Sequence, residues 1–188
     1  MPTGCRSMSA SGAERPPADQ LVRVTLGNAG TAHGAAELAR ERQLAVQDLL
    51  ESNQFAPENA PPGPYAAEIS LEGERMVFMI TPVETDSDPF RVAVPVADLT
   101  GLVRDYHAIC QSYYDALQRA SVGKIEAIDM GRRALHDEGA GLLADCLKGR
   151  IRTDFDTARR LFTLLSVLFL TADMRFVPIR LSPRPGAR

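Results

Sequence analysis

The spacing of apolar residues switches between two periods along this chain, and the switches mark out its elements. Leu21-Val22-Arg23-Val24-Thr25-Leu26 alternates as a strand does, and Gly27-Asn28 and Gly30 end it. From Glu37 to Asn53 the period becomes helical, with an apolar stripe of Leu38, Ala45, Val46, Leu49 and Leu50 opposite a solvated face. A proline-rich connector follows, Ala56 to Pro64. Alternation returns in Tyr65–Leu71 and Arg75–Thr81. Glu72-Gly73-Glu74 between them marks a hairpin, since glycine accepts the positive φ of a tight turn. Phe90 to Val96 supplies one more strand, and Pro95 confines it to a sheet edge.

Beyond Asp98, a candidate cap, the pattern is helical. Leu99, Leu102, Val103, Tyr106, Ile109, Cys110, Tyr113 and Leu117 form one stripe, which leaves His107 among exposed positions. Ser121 can cap the next helix, whose apolar side carries Ile125, Ile128, Leu135, Leu142 and Cys146. Gly131, Gly139 and Gly141 weaken it, so a break near Gly139 is expected, while Gly131 beside the apolar side permits close helix approach. Gly149 reads as the C-terminal stop. After an extended piece, Arg150 to Thr153, Asp154 caps a last helix, and Asp154 and Asp156 sit at its positive end. Leu161, Phe162, Leu164, Leu165, Val167, Leu168 and Phe169 leave this helix no polar face, which places it inside a core.

These elements predict an α+β fold: a small, mostly antiparallel sheet packed on three to four helices, with the apolar C-terminal helix central. One globular domain is expected over residues 20–173. A disordered N-terminal extension (1–19) precedes it and a Pro/Arg-rich tail (174–188) follows, in which Phe176–Leu181 is a candidate edge strand.

Composition narrows the function classes. With 24 acidic against 21 basic residues the chain carries no global positive field, so nucleic acid is an unlikely partner. The longest apolar run, Leu161 to Ala172, falls short of the roughly 20 residues of a membrane span. The first residues lack the apolar core of an export signal. Cys5, Cys110 and Cys146 show no metal-type spacing. Cys110 and Cys146 read as buried thiols, and a cytoplasmic location is expected.

Candidate chemistry concentrates in two segments, each with a twin arginine beside carboxylates: Ile125 to Gly139 and Asp154 to Phe162. At 100° per residue, Glu126, Asp129, Arg133 and His136 share one stripe, with Arg132 at its edge. Two readings follow. Arg132, Arg133, Arg159 and Arg160 converge on a phosphate or carboxylate, for which the planar guanidinium fork is suited, with His136 as a proton donor nearby. Or the arginines pair with Glu126, Asp129, Asp154 and Asp156 and lock two helices together. Four carboxylates for four arginines favour the lock. No cofactor or metal is implied: His136-Asp137-Glu138 point different ways on a helix, and no second histidine stands at i+4. His107 with Cys110 is a poor thiol dyad, and Tyr106, Tyr113 and Tyr114 read as core residues before base-stacking ones.

The segments Arg42–Leu50, Gly63-Pro64-Tyr65, Asp105-Tyr106, Cys110–Ala116, Ile125–Gly139 and Asp154–Leu165 together resemble an uncharacterised protein family of alphaproteobacteria (UPF0262 type). The resemblance spans roughly residues 20–170. Gln111, Ala134 and Asp137 stand where an acid, a glycine and an asparagine are usual in that family. It implies no activity, cofactor or catalytic residue. The expected function is therefore a non-enzymatic binding protein that takes a protein partner or a small anionic ligand through the arginine region. An enzyme acting on a phosphorylated or carboxylated metabolite, with Arg133 as clamp and His136 as acid or base, is the alternative. RNA binding through the basic tail is a third.

Overall fold

The hairpin frames the sheet. β3 (Tyr65–Glu72) and β4 (Arg75–Pro82) pair antiparallel, from Tyr65 opposite Pro82 to Glu72 opposite Arg75, and Gly73 turns the chain at φ +58°. β5 (Phe90–Pro95) adds antiparallel to β4 at the sheet edge that Pro95 requires. β1 (Leu21–Leu26) lies on the other side of β3 and runs parallel to it, so the order is β1-β3-β4-β5. A parallel neighbour needs a crossover, and α1 (Ala35–Glu51) supplies it. The sheet is mostly antiparallel, as expected, with one parallel pair that alternation does not reveal. The structure is a computed structural model. It describes residues 17–27 and 35–172, the side chains of 35–38, 41, 171 and 172 excepted. Residues 1–16 of the expected extension, Asn28, Gly30, the Leu38 side chain and the whole tail with its candidate strand lie outside the described residues.

Two stretches read as irregular are built into the fold. β2 (Phe55–Pro57), at the start of the proline-rich connector, pairs antiparallel with β6 (Ile151–Thr153) as a second, two-stranded sheet. A strand of three residues is too short to show a period. Ala18 and Asp19, expected in the extension, accept backbone hydrogen bonds from Gly63 (2.9 Å) and Phe55 (2.6 Å). Buried Asn53 fastens the end of α1 to β1. Its Oδ1 accepts from the Leu21 N–H (2.7 Å), and its Nδ2 donates to the carbonyls of Leu21 and Leu49.

The core lies between the sheet and α4 (Phe155–Ala172). Tyr65, Ala67, Ile69 and Leu71 of β3 and Met76, Phe78 and Ile80 of β4 are buried against Leu161, Phe162, Leu164, Leu165 and Leu168 of α4. That helix packs against α1, β3 and α3 (Val122–Leu147) and is central, as its uniform apolarity predicts. The Asp154 carboxylate accepts from the Thr157 N–H at 2.7 Å and caps α4 as expected. Asp98 and Ser121 stand before α2 (Leu99–Arg119) and α3, but neither side chain makes a capping hydrogen bond, and Asp98 itself is helical in φ and ψ.

Three local expectations are corrected by packing. α3 runs unbroken through Gly139, because that glycine faces α4, and the Phe162 ring fills the space a Cβ would need. The buried face of α3 is consequently Gly139, Ala140, Leu143 and Leu147, and Leu142 is exposed. On α2, Leu117 faces solvent whereas His107 is buried, since that side of α2 is turned toward α4 near Ser166. Cys110 and Cys146 are thiols outside any disulfide and only partly buried, where buried thiols were expected. Two other expectations hold. Gly131 admits α2 closely, where an added Cβ would stand 2.9 Å from Ile109 Cδ1. Gly149, at φ +72°, ends α3 in a type II turn closed by Arg150 N–H to Leu147 O at 3.0 Å.

Gly139→Ala is predicted to destabilise. Helix propensity favours alanine by about 1 kcal/mol, but overpacking against Phe162 costs about 1–3 kcal/mol, so the melting temperature falls by several degrees. Gly141→Ala, where an added Cβ meets nothing within 4 Å, should leave it unchanged or raise it. Thermal unfolding followed by circular dichroism distinguishes the two.

Candidate functional site

Where α2, α3 and α4 meet, six side chains line a cavity of about 360 Å³: Tyr106 from α2, Arg132, Arg133 and His136 from α3, and Arg159 and Thr163 from α4. Arg132 and His136, like Arg159 and Thr163, are separated by one helical turn, so each pair faces the same side. Of the candidate residues, Arg132, Arg133, His136 and Arg159 are thus brought together. Arg160, a further 100° around α4, does not line the cavity.

The carboxylates divide differently from the four expected. Asp129 takes both α3 arginines: Arg132 donates Nε (3.0 Å) and Nη2 (2.7 Å) to Oδ1, and Arg133 Nη2 reaches Oδ2 at 2.8 Å. The Arg132 hydrogen bonds, with the Arg133 charge beside them, hold the Asp129 carboxyl below the usual carboxylate range. Arg159 pairs with Asp137 at 3.2 Å, an interhelical bridge whose members are both substantially exposed. Asp154 is engaged as a helix cap. Among the described residues neither Glu126 nor Asp156 forms an ion pair with these arginines. The lock between helices therefore rests on one exposed bridge, while the Asp129 pairs lie within α3.

An aromatic floor orients the charged groups. The Arg132 guanidinium stacks on the Tyr113 ring, 5.3 Å from its centroid. Tyr106, His136 and Phe162 contact one another at 5.3–5.6 Å between centroids. His136 Nε2 lies 3.0 Å from Thr163 Oγ1, and the Thr163 hydroxyl donates to the Arg159 carbonyl at 3.3 Å. With its one proton so committed, the hydroxyl accepts from a protonated Nε2, which leaves Nδ1 as the bare nitrogen. Nδ1 is buried and has no hydrogen-bond partner among the described residues. Burial, reinforced by the Arg159 charge, lowers the His136 pKa to about 4, so the ring is neutral at pH 7. Burial does the same to His107 and raises the Tyr106 pKa.

Tyr106, Thr163 and Asp137 were not singled out for these roles by sequence reasoning. For Thr163 a signal was present, its i+4 spacing from Arg159, but it sits in a run so apolar that only burial was read from it. Among the described residues, no cluster of three or more His, Cys, Asp or Glu side chains is able to hold a metal ion. No helix among them is long and apolar enough to cross a membrane.

The model of an uncharacterised protein family, UPF0262, matches residues 18–171. The chain belongs to that family. It is 44% identical to the UPF0262 protein of Paramagnetospirillum magneticum over 155 residues, covering 82% of this chain and 98% of the relative. The UPF0262 protein of Maricaulis maris is 43% identical, over 80% of this chain and 93% of its own length. That of Bradyrhizobium diazoefficiens is 44% identical, over 80% and 91%. No solved structure matches the chain significantly. The cavity-lining residues of this UPF0262 protein all fall inside the segment its family shares.

Buried His107 and partly buried His136 both titrate near 4 when folded and near 6.5 when unfolded. Between these values the unfolded chain binds more protons. Stability is therefore fully present above about pH 6.5 and declines as pH falls toward 4. Asp129, whose folded value lies below its ordinary 3.8, loses its contribution only beneath that window. Urea unfolding between pH 7.5 and 4.5 should show the decline, with a shallower slope in His107→Gln and in His136→Gln. An unchanged slope in both variants would overturn the assignment.

Proposed function

We propose that this protein binds a small molecule through a phosphate or carboxylate group, held by Arg132, Arg133 and Arg159. One observation carries the reading: arginines from two helices line a single cavity with fewer carboxylates than guanidinium groups. Asp129 serves two arginines and Asp137 one, so three positive charges face two negative ones. Each guanidinium keeps N–H donors beyond those it gives to its carboxylate, and such forks bind oxyanions well. Arg133, whose side chain is 69% exposed, is the most accessible of them. The volume suits a small ligand or the head of a larger one.

An enzyme using His136 is the second reading, favoured by the presence of this ring in the cavity wall. Its two nitrogens count against it. One is engaged by Thr163 and the other is buried, so neither is offered to a ligand for proton transfer. Binding is the better account.

A panel of inorganic phosphate, nucleotides and organic acids tests the proposal by thermal shift. A ligand at a hundred times its dissociation constant adds about 2.7 kcal/mol, or about 5–10 °C for a chain of this size. Arg133→Ala should weaken that ligand at least tenfold while its own stability changes by less than about 1 kcal/mol, as expected when an exposed pair is lost. No shift with any anion, or a shift indifferent to both Arg133→Ala and Arg159→Ala, would sink the proposal.

A further inference from the structure

A second cavity, of about 240 Å³, adjoins the arginine site and has the opposite character. The two share Tyr106 and Thr163 as a common wall. Beyond that wall the lining is mostly apolar, Leu44 and Ala45 of α1, Cys110 of α2 and Val167 and Leu170 of α4, with Tyr114, Ser166 and neutral His107 among them and the exposed Asp48 carboxylate at the rim. Arg159, Thr163, Ser166 and Leu170 succeed one another along one face of α4, a run of roughly 16 Å at 1.5 Å per residue. The Tyr106 hydroxyl stands at the junction, interacting with Cys110 of one cavity and Arg132 of the other. Two adjoining cavities, one lined by cations and the other mostly apolar, with Tyr106 and Thr163 between them, fit a ligand divided in the same way.

We infer that the ligand is an amphipathic anion, its oxyanion head on Arg132, Arg133 and Arg159 and a short alkyl or aryl tail lying over Tyr106 and Thr163 into the second cavity. The inference rests on the anion reading above and names the class of ligand. The head fixes position through charge-assisted hydrogen bonds, and the tail adds affinity by leaving water. Selectivity against inorganic phosphate and other small anions then comes from the apolar end, because every oxyanion satisfies the arginines alike.

The test measures calorimetric affinities of the full chain for inorganic phosphate and for methyl, butyl and hexyl phosphate. In the native protein, affinity should rise about two- to fourfold per methylene from methyl to hexyl. Leu44→Glu sets a carboxylate at the rim of the second cavity, on a helix position 50% exposed, where the fold tolerates charge. It should bring hexyl phosphate down to the methyl phosphate level and leave inorganic phosphate unchanged. Equal binding of methyl and hexyl phosphate, or a chain-length gain that survives Leu44→Glu, overturns the tail while the anion site stands. Failure of every phosphate to bind overturns both. Hexyl phosphate binding that persists in Arg133→Ala and Arg159→Ala means apolar adsorption elsewhere and also overturns the inference.

Discussion

Phe162 lies against the backbone of α3 at Gly139, and the rest of the molecule is arranged around that contact. A side chain at position 139 would push the two helices apart. Without one, the phenyl ring seats fully buried between α3 and the core, and α4 runs close beside α3. The same ring touches His136 and Tyr106. One aromatic residue thus sets the spacing of α3 and α4 and the position of α2 above them. The candidate site lies on the polar side of that junction, so its geometry follows from core packing.

The charges are placed where this packing leaves room for them. Arg132 stays partly buried because Asp129 and the Tyr113 ring both receive it, and an unpaired guanidinium there would be costly. Arg133 and Arg159 reach outward from the same junction and remain largely hydrated. Exposed pairs of this kind add little to stability. Their convergence on one cavity, with the interhelical bridge from Arg159 to Asp137 at its side, is the geometry on which the proposed anion site rests. His136 is held neutral by the apolar packing that built the site, so it adds shape and a hydrogen bond to Thr163 and no charge.

Much of the fold was legible in the chain because the signals were local. Gly73 with its flanking alternation marked the hairpin, Pro95 the edge strand, Asp154 the start of α4, and the unbroken apolarity after Leu161 its central place. Where the signal was long-range it was missed. The extended piece that becomes β6 is visible in the chain but its partner β2 is not, because strands of three residues pair here across nearly a hundred residues of sequence. The phase of α3 is hard to read because half of its buried face, Gly139 and Ala140, is made of small residues with little hydrophobic signature beside Leu143 and Leu147. His107 reads as a surface residue from its polarity alone, because the helix that covers it is distant in sequence.

Element types, the α+β class, the central helix and the two twin-arginine segments are local properties of the chain, because periodicity, turn chemistry and charge placement act within a few residues. The Asp129–Arg133 pair follows from its i,i+4 spacing, but the packing of the helices is what brings Arg132, Arg133, His136 and Arg159 into one cavity without Arg160, sets Asp137 against Arg159, and puts Tyr106 between a cationic pocket and a mostly apolar one. Those outcomes depend on the rotation of each helix about its axis. A helix of given periodicity fits a core in more than one rotation, and the choice here was made by a phenyl ring fitting where a glycine has no side chain.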